Sequence, residues 1–551
     1  MPLLDKHRTM LAEAVSALST RSFWSPFPEI PSPRTYGDTA QTEGQAAVEA
    51  LFQSDYPLDQ PGETRRVATE QSPYGVSMGI RYPVCEAEAL LKAAGEAEPS
   101  WQAAGLEGRI GVLLEALARI HKRSFEIAHA VMLTSGQGSM MAFQAGGPHA
   151  QDRALEAIAQ AWKLMSEVPT VARWEKPQGK NPPIVMQKHF ELAGRGIALV
   201  IGCATFPTWN TYPGLFAALA TGNPVIVKPH PNAVLPAALT VSILREVLCE
   251  QGLDRNTVLL GVSDELEFTQ QLATDRRVAS IDFTGSDVFG AWLIEHARQA
   301  RVYAEMAGVN TVIVESTDQY AGMLRNLAFS LCLYSGQMCT TPQNILLPRH
   351  GIETDEGHKS ADQFGEDLAD AIDHLLADPR VATTVLGAIG SDATLARVAD
   401  AALEGRIVRA SKALEHPEFP KARVRTPLVL SVRQIDASIY ARECFGPVTY
   451  LVETDSADAS VQLAESVIGD RGALTLSVYS TNRSFVDTVV KTSRRSKVAL
   501  SINLTQGVFV NQSAGFSDFH ATGANPAATA SYTNAAFVAD RYVVVQRREH
   551  L

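Results

Sequence analysis

Between about residues 196 and 300 the chain alternates short apolar runs with longer amphipathic ones, and that rhythm admits few folds. GIALVIG (196–202) reads as a buried strand, and TYPGLFAALATG (211–222) as a helix stopped by Gly222. PVIVKP (224–229) is a second strand, and AVLPAALTVSILREVLCEQG (233–252) a helix ending at Gly252. NTVLLG, ELEFTQQLATD, ASIDFTGS and VFGAWLIEHARQA continue as strand, helix, strand, helix. Strands that are apolar on both faces, each followed by a helix, require a parallel sheet covered on both sides. Right-handed crossovers make such a unit Rossmann-like.

A second alternating region runs to about residue 507, with strands at NTVIVE, QNILLP and ALTLSVYS. The fold class expected is therefore α/β, with a Rossmann-type cofactor domain, an α/β catalytic domain and a small β arm. The segment 1–80, rich in Pro, Ser and Thr, is expected to be an extended, wrapping segment with one short helix near its start. It opens an N-terminal part of the cofactor domain spanning 1–182, in which residues 86–136 show helical periodicity. After the Pro-rich break PQGKNPPIVM, residues 183–198 are assigned to arm strands, 199–307 to the cofactor core and 308–507 to the catalytic domain. Residues 508–551 form a return segment, and its apolar run FVADRYVVVQ has no obvious local partner. A strand of that kind often completes a neighbour's sheet.

The formal net charge of -12 gives no basic footprint for DNA or RNA. No run of 18 apolar residues is present, so no membrane span is expected. Charged residues Asp5, Lys6, Arg8 and Glu13 interrupt any signal-peptide core. Six scattered cysteines without CxxC spacing fit a reduced compartment, and a cytoplasmic location is expected. No metal site is called for.

Four short stretches carry chemistry. In SGQMCTTPQNI, Cys339 lies between Gly336 and Pro342, at a loop or helix start where backbone N–H groups favour a thiolate. Alone, such a cysteine is more often a small buried apolar residue. In YAEMAGVNTVIV, Glu305 closes an apolar strand, and its carboxylate must be solvated, paired or working as a base. In IDFTGSDVFG, Gly285 and Ser286 join a strand to a helix whose N-terminus suits a pyrophosphate; the bland alternative is a plain turn. ECFGPV, with Glu443 and Phe445, reads alone as a surface turn.

Taken in order, FPTWN, ATGNPVIVKP, FTGS, the E-x-x-G-x-N of EMAGVN, GQMC and ECFGPV resemble the sequential motifs of the aldehyde dehydrogenase superfamily. The interval from Glu305 to Cys339, 339 − 305 = 34 residues, is similar to that family's base-to-nucleophile spacing. The resemblance spans roughly residues 85 to 525. The wording of GCATFPTWNTYPG, KPHPNAVLP and CLYSGQMCTTPQN resembles in particular the phenylacetic acid degradation branch, PaaN or PaaZ-like.

The resemblance implies NAD(P)-dependent oxidation of an aldehyde to an acid through a thiohemiacetal and thioester. Cys339 is then the nucleophile, Glu305 the base for water, and Asn210 an oxyanion donor. Lys228 and Glu443 are implied as ribose partners, Gly285 and Ser286 as the pyrophosphate site, and Phe445 as the nicotinamide neighbour. Phe206, Trp209 and Met338 are candidate tunnel residues on proximity to Asn210 and Cys339. The branch implies a ring-opened semialdehyde carrying a coenzyme A thioester, and the family implies a homodimer or a dimer of dimers. A simpler aromatic or aliphatic aldehyde, a noncatalytic homologue and a cysteine thioesterase remain as alternatives. Pro231 stands where many NAD-specific members place a ribose-binding Glu, so NADP is favoured, with NAD possible, and His230 is a candidate phosphate contact. Asp287 puts an unexpected negative charge beside the pyrophosphate site, and GFSDFHATG replaces the family's closing motif, so no role is carried over there.

Overall fold

The structure, a computed structural model, describes residues 2–306, 308–510 and 514–551. Its first sheet has five parallel strands in the order Val258–Leu260, Val225–Lys228, Ile197–Ile201, Val278–Gly285, Arg301–Met306. Register pairs Ile201 with both Lys228 and Phe283, and Gly285 with Met306, so the carboxyl ends of the strands line up along one edge. In open α/β sheets that edge is where ligands bind. The helices between these strands end as the glycines dictate: Gly222 and Gly252 follow the helix ends with φ of +97° and +68°.

The second sheet has seven strands, ordered Arg406–Arg409, Leu428–Arg433, Val448–Thr454, Asn344–Pro348, Thr311–Val314, Thr475–Tyr479, Ala499–Ile502. All pairings are parallel except that of the edge strand Arg406–Arg409. Its strands Thr311–Val314 and Asn344–Pro348 flank the turn that carries Cys339.

The arm is a three-stranded antiparallel sheet in which Asn181–Gly194 lies between Val171–Gln178 and Tyr542–His550. It differs from the expected 183–198 at both ends. The hairpin starts at Val171 and turns at 179–180, and residues 197 and 198 already belong to the five-stranded sheet. Charged residues at Arg173, Glu175 and Lys176 masked the Val171–Gln178 strand, because a solvated two-faced strand has no apolar alternation to read. The terminal strand joins the arm as expected, pairing with residues 186–194, a partner far from it in sequence.

Residues 2–80 contain more helix than expected. Leu3–Thr20 is an 18-residue helix, and Ala40–Glu49 another. The first buries Leu4, Leu11, Ala14 and Leu18 against the helix Gly105–Lys122. The approach is close: a Cβ on Gly111 would meet the Leu4 nitrogen at 2.7 Å. Among the described residues, no helix is long and apolar enough to cross a membrane.

One ion pair ties the C-terminal segment to the middle of the cofactor sheet. Asp282, within Val278–Gly285, accepts two hydrogen bonds from the Arg541 guanidinium at 2.6 and 2.7 Å, and both side chains are buried. The Arg541 ring neighbours Tyr303 and Phe537 lie 4.2 Å away. Removing one member strands the other charge in the interior, a loss of about 3–5 kcal/mol. Arg541→Met is therefore expected to lower the thermal midpoint strongly, and Arg541→Met with Asp282→Asn to fall less than the sum of the two single changes; additivity of the two would refute the coupling.

Candidate active site

The aligned strand ends open onto a cleft of about 630 Å³. Cys339 reaches it from a turn between the helical segment ending at Gly336 and the strand Asn344–Pro348. Gly336 has φ +65°, and a Cβ there would meet the Gly446 oxygen at 2.5 Å, so the GQMC and CFGP segments meet backbone to backbone. Asn310 holds the turn from beneath. Its amide donates to the Cys339 carbonyl at 2.7 Å and to that of Thr341 at 3.1 Å, while its oxygen accepts from the Leu474 and Thr475 N–H groups at 3.0 Å each.

Glu305 is 1% exposed, at the end of the strand Arg301–Met306. Its Oε2 accepts from Asn210 Nδ2 at 3.1 Å, and its Oε1 lies 2.9 Å from His520 Nε2. The same Nε2 is 3.9 Å from Cys339 Sγ. One donor atom from each of Glu305, Cys339 and His520 lies within 4.8 Å of the others. Asn210 sits at the start of the helix Thr211–Ala220 but makes no side-chain cap, so its amide is available to the cleft. Its oxygen accepts from Cys203 Sγ at 3.6 Å.

Burial alone would raise the Glu305 carboxyl, but the charge and hydrogen bond of His520, helped by Cys339 and Arg153, hold it below the ordinary carboxylate value. Burial, then the Glu305 charge, push the Cys339 thiol well above its ordinary value. Cys339 lies on a turn, the loop alternative of the two expected, and a backbone hydrogen bond does favour the thiolate, but less than burial and the neighbouring carboxylate oppose it.

The other half of the cleft is lined by Lys228, His230, Gly285, Ser286, Glu443 and Phe445, with Asp264 and Glu265. Burial brings Lys228 down to about 8, against the Asp264 carboxylate. Burial, with the Lys228 charge, brings His230 down to about 4, and its Nδ1 accepts the Asn232 N–H. His230 lines the cleft, and as a neutral imidazole it could meet a phosphate only through a ring N–H. Burial pushes Glu443 up to about 7, with Arg397 opposing and Asp287 adding to the rise. Arg397 fixes that loop by donating to the Phe445 carbonyl at 3.0 Å.

Ser286 caps the helix Asp287–His296 by accepting the Phe289 N–H at 3.3 Å, and Asp287 accepts the Val288 N–H at 2.8 Å. Asp287 therefore has a structural account: its charge satisfies a first-turn donor at a helix N-terminus. Of the expected tunnel residues, Phe206 lines the cleft and packs 5.9 Å from Tyr334, Trp209 stacks edge-on against His520 at 4.7 Å, and Met338 is buried beneath the turn.

The structure thus brings together all nine residues expected at the site and adds two. Asn310 stood inside a recognised motif without a role. His520 lay in GFSDFHATG, where nothing marks one histidine as bound for a carboxylate 215 positions away. Its segment reaches the site because Met306 N–H bonds to the Ala527 carbonyl at 2.7 Å, and Thr529 N–H to that of Ala304 at 2.8 Å.

A model of the aldehyde dehydrogenase family matches residues 76–534. The chain belongs to the aldehyde dehydrogenase family, and its class is that of a nicotinamide-dependent oxidoreductase acting on aldehydes. It is similar over 100% of its length, and 99% of the other chain, to a crystal structure of an NAD-dependent aldehyde dehydrogenase from Burkholderia multivorans, with 52% identity and a TM-score of 0.99. It is 25% identical over 466 residues, 81% of this chain and 84% of the other, to a 1-pyrroline-5-carboxylate dehydrogenase of Bacillus thuringiensis. A Thermus 1-pyrroline-5-carboxylate dehydrogenase crystallised with NAD shares the fold, with a TM-score of 0.75 at 22% identity over 96% of this chain and 99% of that one.

Asn310→Ala would leave two buried N–H groups without their acceptor and release the carbonyl of the nucleophile. Each unsatisfied group costs about 1–3 kcal/mol. The variant is expected to lose about 3 kcal/mol in urea unfolding and to slow alkylation of Cys339 at least tenfold. A normal alkylation rate in a destabilised protein would show that Asn310 supports the fold and not the nucleophile.

Proposed function

We propose that the protein oxidises an aldehyde to a free carboxylic acid by way of a thioester on Cys339. The observation that carries this reading is the buried Glu305 carboxylate facing both the nucleophile and Asn210 across one cleft. Cys339 releases its thiol proton to solvent, its Sγ attacks the carbonyl carbon, and the oxyanion that forms accepts hydrogen bonds from the Asn210 amide and the Cys339 N–H. One such donor contributes about 3–4 kcal/mol to the barrier. Bound nicotinamide supplies the hydride acceptor. The thioester left on Cys339 then needs water, and Glu305 takes its proton. In the structure Asn210 Nδ2 donates one N–H to Glu305, and its amide carries a second N–H for the oxyanion.

The residues of the cleft fit a dinucleotide. Lys228 and Glu443 would hold ribose hydroxyls, Phe445 would pack at the nicotinamide, and Gly285 and Ser286 would meet the pyrophosphate. Binding there needs Asp287 to leave the Val288 N–H. Pro231 leaves a 2′-phosphate unopposed at that position, which favoured NADP. Two features speak for NAD instead: burial and the Lys228 charge bring His230 down to about 4, and the acidic residues Asp264 and Glu265 line the same cleft. The Burkholderia relative is described as NAD-dependent. NAD is therefore the preferred cofactor on balance.

The first substrate to test is the ring-opened semialdehyde carrying a coenzyme A thioester (3-oxo-5,6-dehydrosuberyl-CoA semialdehyde type, of aerobic phenylacetate degradation), which rests on the motif wording. A simpler aromatic or aliphatic aldehyde is the second reading, favoured by the aromatic ring of Phe206 in the cleft lining. The exposed apolar residues of the arm, Val171, Ile184, Val544 and Val545, support pairing of arms across a homodimer or a dimer of dimers.

The test is absorbance of reduced nicotinamide with NAD and NADP in turn, against the CoA semialdehyde, aromatic and aliphatic aldehydes, and glutamate semialdehyde. Cys339→Ala is expected to abolish the signal. Glu305→Gln is expected to give a burst near one equivalent per site, followed by turnover slowed about 10²–10⁴-fold, because acylation survives and hydrolysis does not. Absence of any signal from folded protein with every aldehyde would remove the enzymatic reading and favour a noncatalytic homologue.

A further inference from the structure

We infer that His520 is a positioning residue of this site that balances charge, its imidazole standing between the Cys339 sulfur and the Glu305 carboxylate. The inference rests on the functional reading above and assigns a role that the family motifs do not contain.

The position is built. His520 is 5% exposed, and its backbone exchanges two hydrogen bonds with Tyr532, N–H to carbonyl at 2.8 and 2.9 Å. Trp209 closes one side of the ring at 4.7 Å, edge to face. The loop before it is held by two arginines. Arg153 donates to the Asp518 carbonyl at 3.0 Å and lies 5.1 Å over the Trp209 ring. Arg21, just after the first helix, donates to the Phe516 carbonyl at 3.1 Å and covers the Phe519 ring at 3.8 Å. Both arginines share Glu156, at 3.0 Å each. The ring is thus placed from the N-terminal helix, the helix Ala150–Ser166 and the C-terminal return together.

The placement has chemical content because one nitrogen meets both partners. Nε2 is 2.9 Å from Glu305 Oε1 and 3.9 Å from Cys339 Sγ. With the ring doubly protonated, the Nε2–H donates to the carboxylate and faces the sulfur. When the thiol proton leaves, the three groups go from net neutral to net -1. Without the imidazolium the same ionisation goes from -1 to -2 in a buried pocket. A neutral group in place of His520 therefore disfavours the thiolate directly. Around the ring stand Tyr532, with ring centroids 6.3 Å apart, Arg153 over the Trp209 ring and paired with Glu156, and Cys203 on Asn210. Arg153 contributes to holding Glu305 ionised, but less than His520 does.

His520 has a second effect on the same carboxylate. It occupies Oε1 while Asn210 occupies Oε2, so the plane of Glu305 is fixed from both sides. A base must be held within hydrogen-bond reach of its water, and two anchors do this better than one.

The test uses the full-length protein without substrate. Alkylation of Cys339 by iodoacetamide is followed by peptide mass from pH 5 to 10, in the parent protein, His520→Gln and His520→Ala. Gln keeps a neutral donor near Nε2 and so preserves the hydrogen bond without the charge. The expected result is a profile whose midpoint rises by at least one pH unit in both variants, with a rate at pH 7 at least tenfold lower. If Ala fails to fold, Gln with an unchanged thermal midpoint decides the matter. Unchanged profiles would overturn the proposal and leave His520 a structural histidine. Because alkylation needs neither aldehyde nor dinucleotide, a shifted profile in a protein that oxidises no aldehyde would reject the proposed reaction while keeping the role of His520 toward the thiol.

Discussion

The Glu305 carboxylate is almost wholly buried and yet held below its ordinary value, and most of the site follows from that requirement. A lone buried charge is strongly disfavoured unless it is paired and hydrogen-bonded. Here the pairing comes from two distant parts of the chain. Asn210 arrives at the start of a helix in the cofactor half, and His520 arrives from the C-terminal return. The strand carrying Glu305 is extended by the segment 527–529, so the return cannot detach without exposing the base.

The same economy appears at Asp282 and Arg541. A charged pair at the middle of the cofactor sheet fastens the chain just before its terminal strand, which then runs along the arm. Asn223 adds to it, accepting from Arg195 and Gly196 N–H groups and donating to the Arg541 carbonyl. The arm, the cofactor sheet and the catalytic return therefore meet in one buried polar network. Such networks are fully satisfied or costly, so they specify one arrangement of the three.

The cleft has two electrostatic halves. On the side of Cys339, burial and a carboxylate oppose the thiolate, while His520 and Arg153 bring positive charge to that carboxylate. On the side expected to take the dinucleotide, Lys228 is lowered to about 8, while Glu443 is raised to about 7. Both are groups whose charge changes readily when a polar ligand displaces or orders what surrounds them.

Much of this was legible in the sequence, and for a physical reason. Parallel strands covered on both faces must be apolar throughout, and helices that follow them must stop, so GIALVIG, PVIVKP and their glycines announce the cofactor sheet without any contact being known. Cys339, Glu305 and Asn210 stood out because motif order and spacing survive translation into structure. What failed were features with no local signature. The strand Val171–Gln178 is charged and solvated, so its pairing depends on the neighbouring strand and not on its own pattern. The helix Leu3–Thr20 is stabilised by burying Leu4 and Leu11 against a helix a hundred positions later. His520 carries no spacing that ties it to Glu305. The sequence by itself determined the α/β class, through local periodicity, and marked Cys339, Glu305 and Asn210 as candidates, through the order and spacing of motifs. Only the tertiary structure decided that a histidine from the C-terminal return sits between Cys339 and Glu305, because that contact depends on where two arginines and a Tyr532 backbone pairing place the loop in space.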